Sequence, residues 1–477
     1  MKNFFNKKQL TEVIAASRSR GSLKKTLGAF DLFLMGIGAI IGAGIFVVAG
    51  ITAAELSGPA ITVSYLIAGL AAIFVALAYT EVASMIPTSG SSYTYTYVSM
   101  GEICAWITGW MSIIYFVISA STVSSGWSGY VVNFLQTIHI YIPVELTKVS
   151  SEGGFMNLPA MLISIVMSYI LIRGTSESAK LNNFLVAVKV LVIGVFIIVG
   201  LPYFNIDLWF DKSVTYDHSK ILSSEFMPFG IAGVMAGASQ VFFSYNGFDS
   251  IASAAEESKN PERDVTVGIL SALVVSAIIY MIIAGLLVGL VPYNELNISS
   301  PVAYALEKIG MTKISGFVAI GAIAGLTTVV MMQLYAQSRI IFAMSRDGML
   351  PKIFSKIHPK YGSPYLSNIF LGLVVSLLSG FTPLELNIQL ASMGALFMFA
   401  MVSVSMMIMR VTLPEARRPF KCPLAYVVGS SAFLVSILLM SFLVPKVGIY
   451  FFGWLGLGFV VYFAYVRKFS PLAKSKK

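Results

Sequence analysis

Histidine, cysteine and charge are all scarce in this chain, and each scarcity removes a class of function. Only His139, His218 and His358 occur in 477 residues, and all three fall between apolar runs. A histidine metal site is therefore not expected, nor any other metal or cofactor. The two cysteines, Cys104 and Cys422, sit beside segments assigned below to the cytoplasm, so free thiols rather than a disulfide are expected. Charged residues make up 11% of the chain, against roughly 25% in soluble proteins. The net charge of +10 is spread between apolar runs, so nucleic acid is not an expected partner. No span gathers the His, Cys or carboxylate groups that an enzyme needs, and no loop or tail is long enough for the signalling domain of a sensor.

What fills the chain is apolar. Hydrophobic residues are 57% and the mean hydropathy is +0.83, which points to an all-α polytopic membrane protein with the bilayer as partner. Twelve segments are long enough to span: 30–52, 57–85, 101–133, 157–173, 179–201, 228–251, 265–291, 315–343, 364–380, 386–410, 424–444 and 447–467. Residues 1–28 form a basic leader expected at the membrane surface. The first apolar run is too long for a signal-peptide core, so no cleaved signal is expected. With the N-terminus inside, inner segments hold 25 lysines and arginines against 6 outside. The excess of inner cations puts both termini in the cytoplasm of a cell-membrane protein. Oligomeric state is left open.

Span 1 carries glycine at 36, 38, 42, 44 and 50. Glycine in a helix interior costs about 1 kcal/mol against alanine. One reading is close helix packing, with Gly38 and Gly42 as a small-residue pair. The other is a helix broken near Gly42 and Gly44 whose free N–H groups hold an anion. Five spans later, span 6 has a matching defect at Asn246-Gly247, a turn dipeptide in an apolar run. An odd number of spans between defects implies halves of opposite topology. The expected division is 29–201 (spans 1–5), 202–411 (spans 6–10), 412–468 (spans 11 and 12) and a tail, 469–477. The N–H groups of Ala43, Gly44 and Ile45 would face an anion, and the carbonyls of Phe243, Ser244 and Asn246 a cation. Opposed helix ends of this kind fit a zwitterion such as an α-amino acid.

Lys189 lies mid-span in the apolar stretch 185–194. Intramembrane lysines usually line an ion or substrate path, and this one is the candidate for proton coupling. Its ammonium would also fit where another transporter holds Na⁺. Snorkelling is the alternative, at the limit of reach. Asp31 opens span 1 as a helix cap or a gate partner. Asp249 closes the span 6 defect as a brace, and Glu81 reads as structural. Tyr115, Thr327, Thr328 and Gln333 are polar groups in apolar spans, suited either to a pocket or to helix contacts. The charged loop 255–264 reads as solvated, with a helix starting after Asn260-Pro261.

Six motifs together resemble the amino acid–polyamine–organocation superfamily, and within it the cationic-amino-acid-transporter-like bacterial permeases. They are 36–46 (GIGAIIGAGIF), 85–90 (MIPTSG), 126–129 (GWSG), 243–249 (FSYNGFD), 255–264 (AEESKNPERD) and 338–348 (SRIIFAMSRDG). The resemblance implies a leucine-transporter-type fold, a five-plus-five inverted repeat with two additional C-terminal helices. It implies proton-driven amino acid import, with carboxylate at Ala43 and Gly44, amino group on the span 6 carbonyls, and Lys189 as the coupling lysine. The substrate-binding candidates are thus Ile40, Ala43, Gly44, Ile45, Tyr115, Phe243, Ser244, Asn246, Phe248 and Gln333. Relatives often carry Thr or Ser at position 43, Glu where Tyr115 stands and an apolar residue at 246. These departures favour neutral, branched-chain or other aliphatic substrates over cationic ones. Exchange instead of symport, or cationic amino acid transport, are the alternatives.

Overall fold

The computed structural model describes residues 7–13, 27–210 and 221–467. Most of the expected leader, His218 and the tail 469–477 lie outside the described residues. Everything within them is helix, turn or loop; two isolated bridges stand in place of strands. Among the described residues, seven helical stretches are long and apolar enough to cross a membrane, and two shorter apolar helices, Leu158–Ile172 and Tyr365–Phe381, accompany them.

Expected spans and observed helices agree within a few residues where the apolar run is long. Span 2 is Ile61–Met85, span 3 Glu102–Thr137, span 5 Thr175–Gly200 and span 7 Pro261–Leu290; span 8 is Thr312–Arg346 and span 10 Leu384–Thr412. Spans 4 and 9 are the two shorter helices. The helix after Asn260 starts as expected, with Pro261 in its first turn and Asp264 accepting from the Asn260 N–H at 3.1 Å. Two short helices had no counterpart in the apolar pattern, Ser91–Ser99 and Pro301–Lys308. Both are too polar to register as spans. Spans 11 and 12 run on as one helical stretch, Ala425–Val461, with Pro445 inside it.

The layout is inside-out relative to a soluble protein. Leu191, Ile198, Leu373, Leu377, Leu434 and Ile449 stand exposed on the outer helices, where lipid takes the place of water. Serine, threonine, asparagine and glutamine crowd the interior. Span 3 packs on spans 8 and 10, span 2 on spans 7 and 6, span 1 on span 7, span 4 on span 9, and span 5 on span 8. At one end, Glu81 is held by Arg410 at 2.6 Å and Arg418 at 3.3 Å and accepts the Cys422 N–H at 2.7 Å. Both cysteines are free thiols.

Candidate functional site

Span 1 leaves the helix at Ile41, whose ψ of 105° is extended. Two β-branched residues followed by glycine give the helix little reason to continue there. Helix resumes with a π turn at Gly44–Val48 and continues to Ser57. The Ile45 and Phe46 N–H groups both donate to the Gly42 carbonyl at 3.2 Å. The N–H groups ahead of them, on Gly42, Ala43 and Gly44, precede the first intrahelical bond and have no helical acceptor. The expected donor set therefore shifts by one residue: Ile45 is occupied by the turn, and Gly42 takes its place.

Span 6 breaks at the expected dipeptide. Its first half, Gly230–Val241, tightens into a 3₁₀ turn at Phe242–Tyr245. Asn246 is then extended, Gly247 has φ 119°, and Phe248–Ser253 resumes as helix. The expected bare carbonyls are partly occupied. Phe243 O accepts from the Asn246 N–H at 3.1 Å, and Ser244 O lies 2.8 Å from the Tyr280 hydroxyl, whose one proton it shares with Ile40 O at 2.6 Å. Each retains one lone pair.

The two breaks meet. A Cβ added at Gly44 would strike Ser244, and one at Gly247 would strike the Ala39 carbonyl. Only glycine permits this approach, and at Gly247 also the left-handed backbone. Gly38 and Gly42 abut Asn182 and Val329, so the packing reading of span 1 holds beside the broken-helix reading.

Buried tyrosines, which the sequence reading passed over apart from Tyr115, tie the breaks together. The Tyr280 hydroxyl lies 2.6 Å from Ile40 O and 2.8 Å from Ser244 O. Tyr65 donates to Gly44 O at 2.8 Å and lies 3.1 Å from Ser244 Oγ. Tyr130 donates to Phe46 O at 2.6 Å. Tyr280 stands in the apolar run 277–284, which was the available signal for it; Tyr65 and Tyr130 stand among serines and threonines and gave none.

Lys189 is fully buried and does not snorkel. Its Nζ lies 3.0 Å from both Ile37 O and Gly38 O, 2.7 Å from Ile41 O and 3.1 Å from Thr328 Oγ1, four acceptors around at most three N–H donors. Those carbonyls end the first half of span 1, where the helix dipole leaves roughly half a negative charge. The lysine nitrogen is thus seated on a helix C-terminus, where backbone carbonyls face it in place of a carboxylate.

The remaining candidates separate. Tyr115 donates to Asp249 Oδ1 at 3.1 Å. Asp249 Oδ2, both side-chain polar atoms of Asn246 and Gln333 Oε1 are buried without a partner. Phe248 stacks on Phe399, with ring centres 4.9 Å apart, so its ring belongs to an aromatic cluster on span 10. Asp31 accepts from the Gly28 N–H at 2.9 Å; it is a local cap and not a partner across helices. Thr327 accepts from Trp127 at 2.9 Å. The charged loop is not simply solvated: Glu257 is buried, accepts from Tyr335 at 2.7 Å and pairs with Arg339 at 3.3 Å. A cavity of about 570 Å³, lined by Ile51, Glu55, Ser125, Asn297 and Glu385 among others, opens at the far end of span 1.

Residues 27–464 match the amino acid permease family. The chain is 41% identical over 473 residues to the branched-chain amino acid permease BcaP of Bacillus subtilis (strain 168), covering 98% of each. It is 40% identical over 476 residues to the methylthioribose transporter of the same organism, covering 99% of this chain and 100% of the relative. The vacuolar cationic amino acid transporter 4 of Arabidopsis thaliana is 36% identical over 418 residues, 87% of this chain and 68% of the relative.

Proposed function

Because the chain belongs to the amino acid permease family, and is thus a multi-pass membrane transporter and no enzyme, we propose that it imports neutral, branched-chain or other aliphatic L-amino acids with protons, by alternating access. The observation that carries the reading is the junction of two broken helices beside a buried lysine. The Gly42, Ala43 and Gly44 N–H groups take the substrate carboxylate, and the free lone pairs of the Phe243 and Ser244 carbonyls, with the Asn246 carbonyl, take its amino group. Lys189 gains and loses the coupling proton. When it is charged it holds the first half of span 1 in place; when neutral it releases the Ile37, Gly38 and Ile41 carbonyls.

The layout we propose is twelve spans in the cell membrane, both termini cytoplasmic, with spans 1–5 and 6–10 as inverted repeats. The helix contacts support it. A shift of five spans converts the span 1–7 contact into 6–2, and 3–10 into 8–5, while 2–7, 3–8 and 4–9 map onto themselves. The stretch Ala425–Val461 is read as two passes turning near Pro445. Gly429 lies against Met407 near the end of span 10, Lys446 pairs with Glu385 at its start at 3.0 Å, and Tyr462 donates to Glu102 at the first end.

Purified protein in proteoliposomes should accumulate labelled leucine or isoleucine faster with an inward proton gradient than without one. Uptake indifferent to the gradient removes the coupling; counterflow without net uptake replaces symport by exchange. A second reading, a thioether sugar in place of an amino acid, is favoured by the unpartnered Asn246 and Gln333 groups and by the 40% identical relative. Competition of leucine uptake by methylthioribose decides between them.

A further inference from the structure

Four cations stand without a carboxylate at the end of the molecule that the layout above puts in the cytoplasm. Arg173 closes span 4, and Lys352, Lys356 and Lys360 lie between spans 8 and 9; all four are exposed. Among the described residues none of the four is in an ion pair. At the same end Arg339 is held by Glu257, Arg410 and Arg418 by Glu81, and Arg417 by Glu262. No acid occurs in 153–176 or in 349–384. The charge of this corner is thus left for something outside the chain.

The loop is folded onto the end of span 4. Ser363 Oγ donates to Ile172 O at 2.6 Å, and a Cβ on Gly174 would lie 3.2 Å from the Tyr361 carbonyl. Lys360 and Arg173 are thereby brought to one corner. The turn is fixed from within: the Lys360 and Tyr361 N–H groups donate to His358 Nδ1 at 3.2 and 3.4 Å. Farther back, Phe354 packs on Phe370 of span 9 with ring centres 5.4 Å apart, which holds the segment carrying Lys352 and Lys356 against the start of that helix. The Arg173 guanidinium lies 5.6 Å from the centre of the Tyr169 ring, so the cation borders the membrane-facing surface.

An apolar cleft leads away from that corner. Spans 4 and 9 are antiparallel: Ile172 meets Ser363, Ser168 meets Asn368 and Gly372, and Met161 meets Gly380. Leu162, Val166 and Tyr169 are exposed on span 4, and Phe370, Leu373 and Leu377 on span 9. On each helix the exposed row lies roughly a quarter to a third of a turn on from the contact row, counted in the same rotational sense. In an antiparallel pair that offset puts both exposed rows on the same side. They form the two walls of one cleft, open to lipid and ending at Arg173.

We propose that this corner binds an anionic phospholipid, its phosphate held by Arg173 and Lys360 in the field of Lys352 and Lys356, its acyl chains lying in the cleft between spans 4 and 9. Charge at the end of an apolar cleft matches the shape of that amphiphile, and basic pockets at the cytoplasmic ends of helices are suited to acidic headgroups. A second copy of this chain in the same membrane would bring like charge against these cations. A soluble acidic partner would leave the cleft empty. The site is independent of which solute is carried and of how its transport is coupled.

Native mass spectrometry of the full-length protein in mild detergent tests it, by titration with phosphatidylglycerol and with phosphatidylcholine of the same chains. The first phosphatidylglycerol should bind at least tenfold more tightly than phosphatidylcholine. Arg173→Gln combined with Lys360→Gln should weaken phosphatidylglycerol about tenfold and leave phosphatidylcholine unmoved. Lys148→Gln combined with Lys313→Gln removes the same charge at the opposite end and should change neither. Arg173→Lys with Lys360→Arg keeps the charge and should keep the preference, which separates lost charge from a damaged fold. Dihexanoyl phosphatidylglycerol, whose chains are too short to fill the cleft, should bind about tenfold more weakly than the long-chain lipid. Equal affinity for the two headgroups, an unmoved glutamine pair, an equal loss in the Lys148 and Lys313 pair, or a loss in the charge-keeping pair overturns the headgroup site. Short chains binding as tightly as long ones overturn the cleft.

Discussion

Lys189 is the residue on which most depends. Its ammonium has three backbone carbonyls for company, and each charge-assisted bond is worth about 1.5–3 kcal/mol. Lys189→Ala should abolish the pH dependence of leucine uptake while detergent-extracted protein stays monodisperse; pH dependence that survives the change would leave the lysine as a structural peg. Tyr280 is the second such residue. Tyr280→Phe strips a hydroxyl from Ile40 O and Ser244 O, a loss of about 1–3 kcal/mol, and both the KM for leucine and the Tm should move unfavourably. A smaller matter is Cys422, which lies outside the spans. Burial first, and then Glu81, push its thiol up to about 11. It should stay protonated and resist iodoacetamide at neutral pH, with alkylation rising only as pH approaches that value; rapid labelling at pH 8 would contradict this.

At the scale of the element, legibility followed the strength of the local signal. Long apolar runs gave spans 2, 3, 7, 8 and 10 within a few residues, because lipid forces every backbone group into helix. The Gly42–Gly44 and Asn246-Gly247 breaks were legible because glycine weakens a helix wherever it stands. What was not legible depended on contacts made far away in sequence. The Ile45 N–H was expected to be free, but the turn onto Gly42 O captured it. Asp31 gave no hint in sequence whether it would cap or reach across. The helix Ser91–Ser99 holds no apolar run, and the loop carrying Glu257 looked solvated until Arg339 and Tyr335 were brought to it by span 8. Gly44→Ala tests the break directly: its new methyl would press on Ser244, and uptake should fall to background in protein that still inserts. Near-normal uptake would mean that the helices have room to part.

For the whole molecule, polarity is arranged so that the bilayer stabilises the outside and a network of hydroxyls, amides and tyrosines orders the inside. The family, and with it membrane transport of amino acids, followed from motifs spread over most of the chain. The substrate is harder to read, because relatives at 41% and 40% identity carry names of chemically unlike solutes.

The seat of Lys189 has one more consequence. A counter-ion tied covalently to its own polypeptide is never diluted and never competes with the medium. Replacing all external sodium with choline should leave transport velocity where it was, at any ionic composition, and a velocity that collapses in choline would show that the seat belongs to a visiting metal ion.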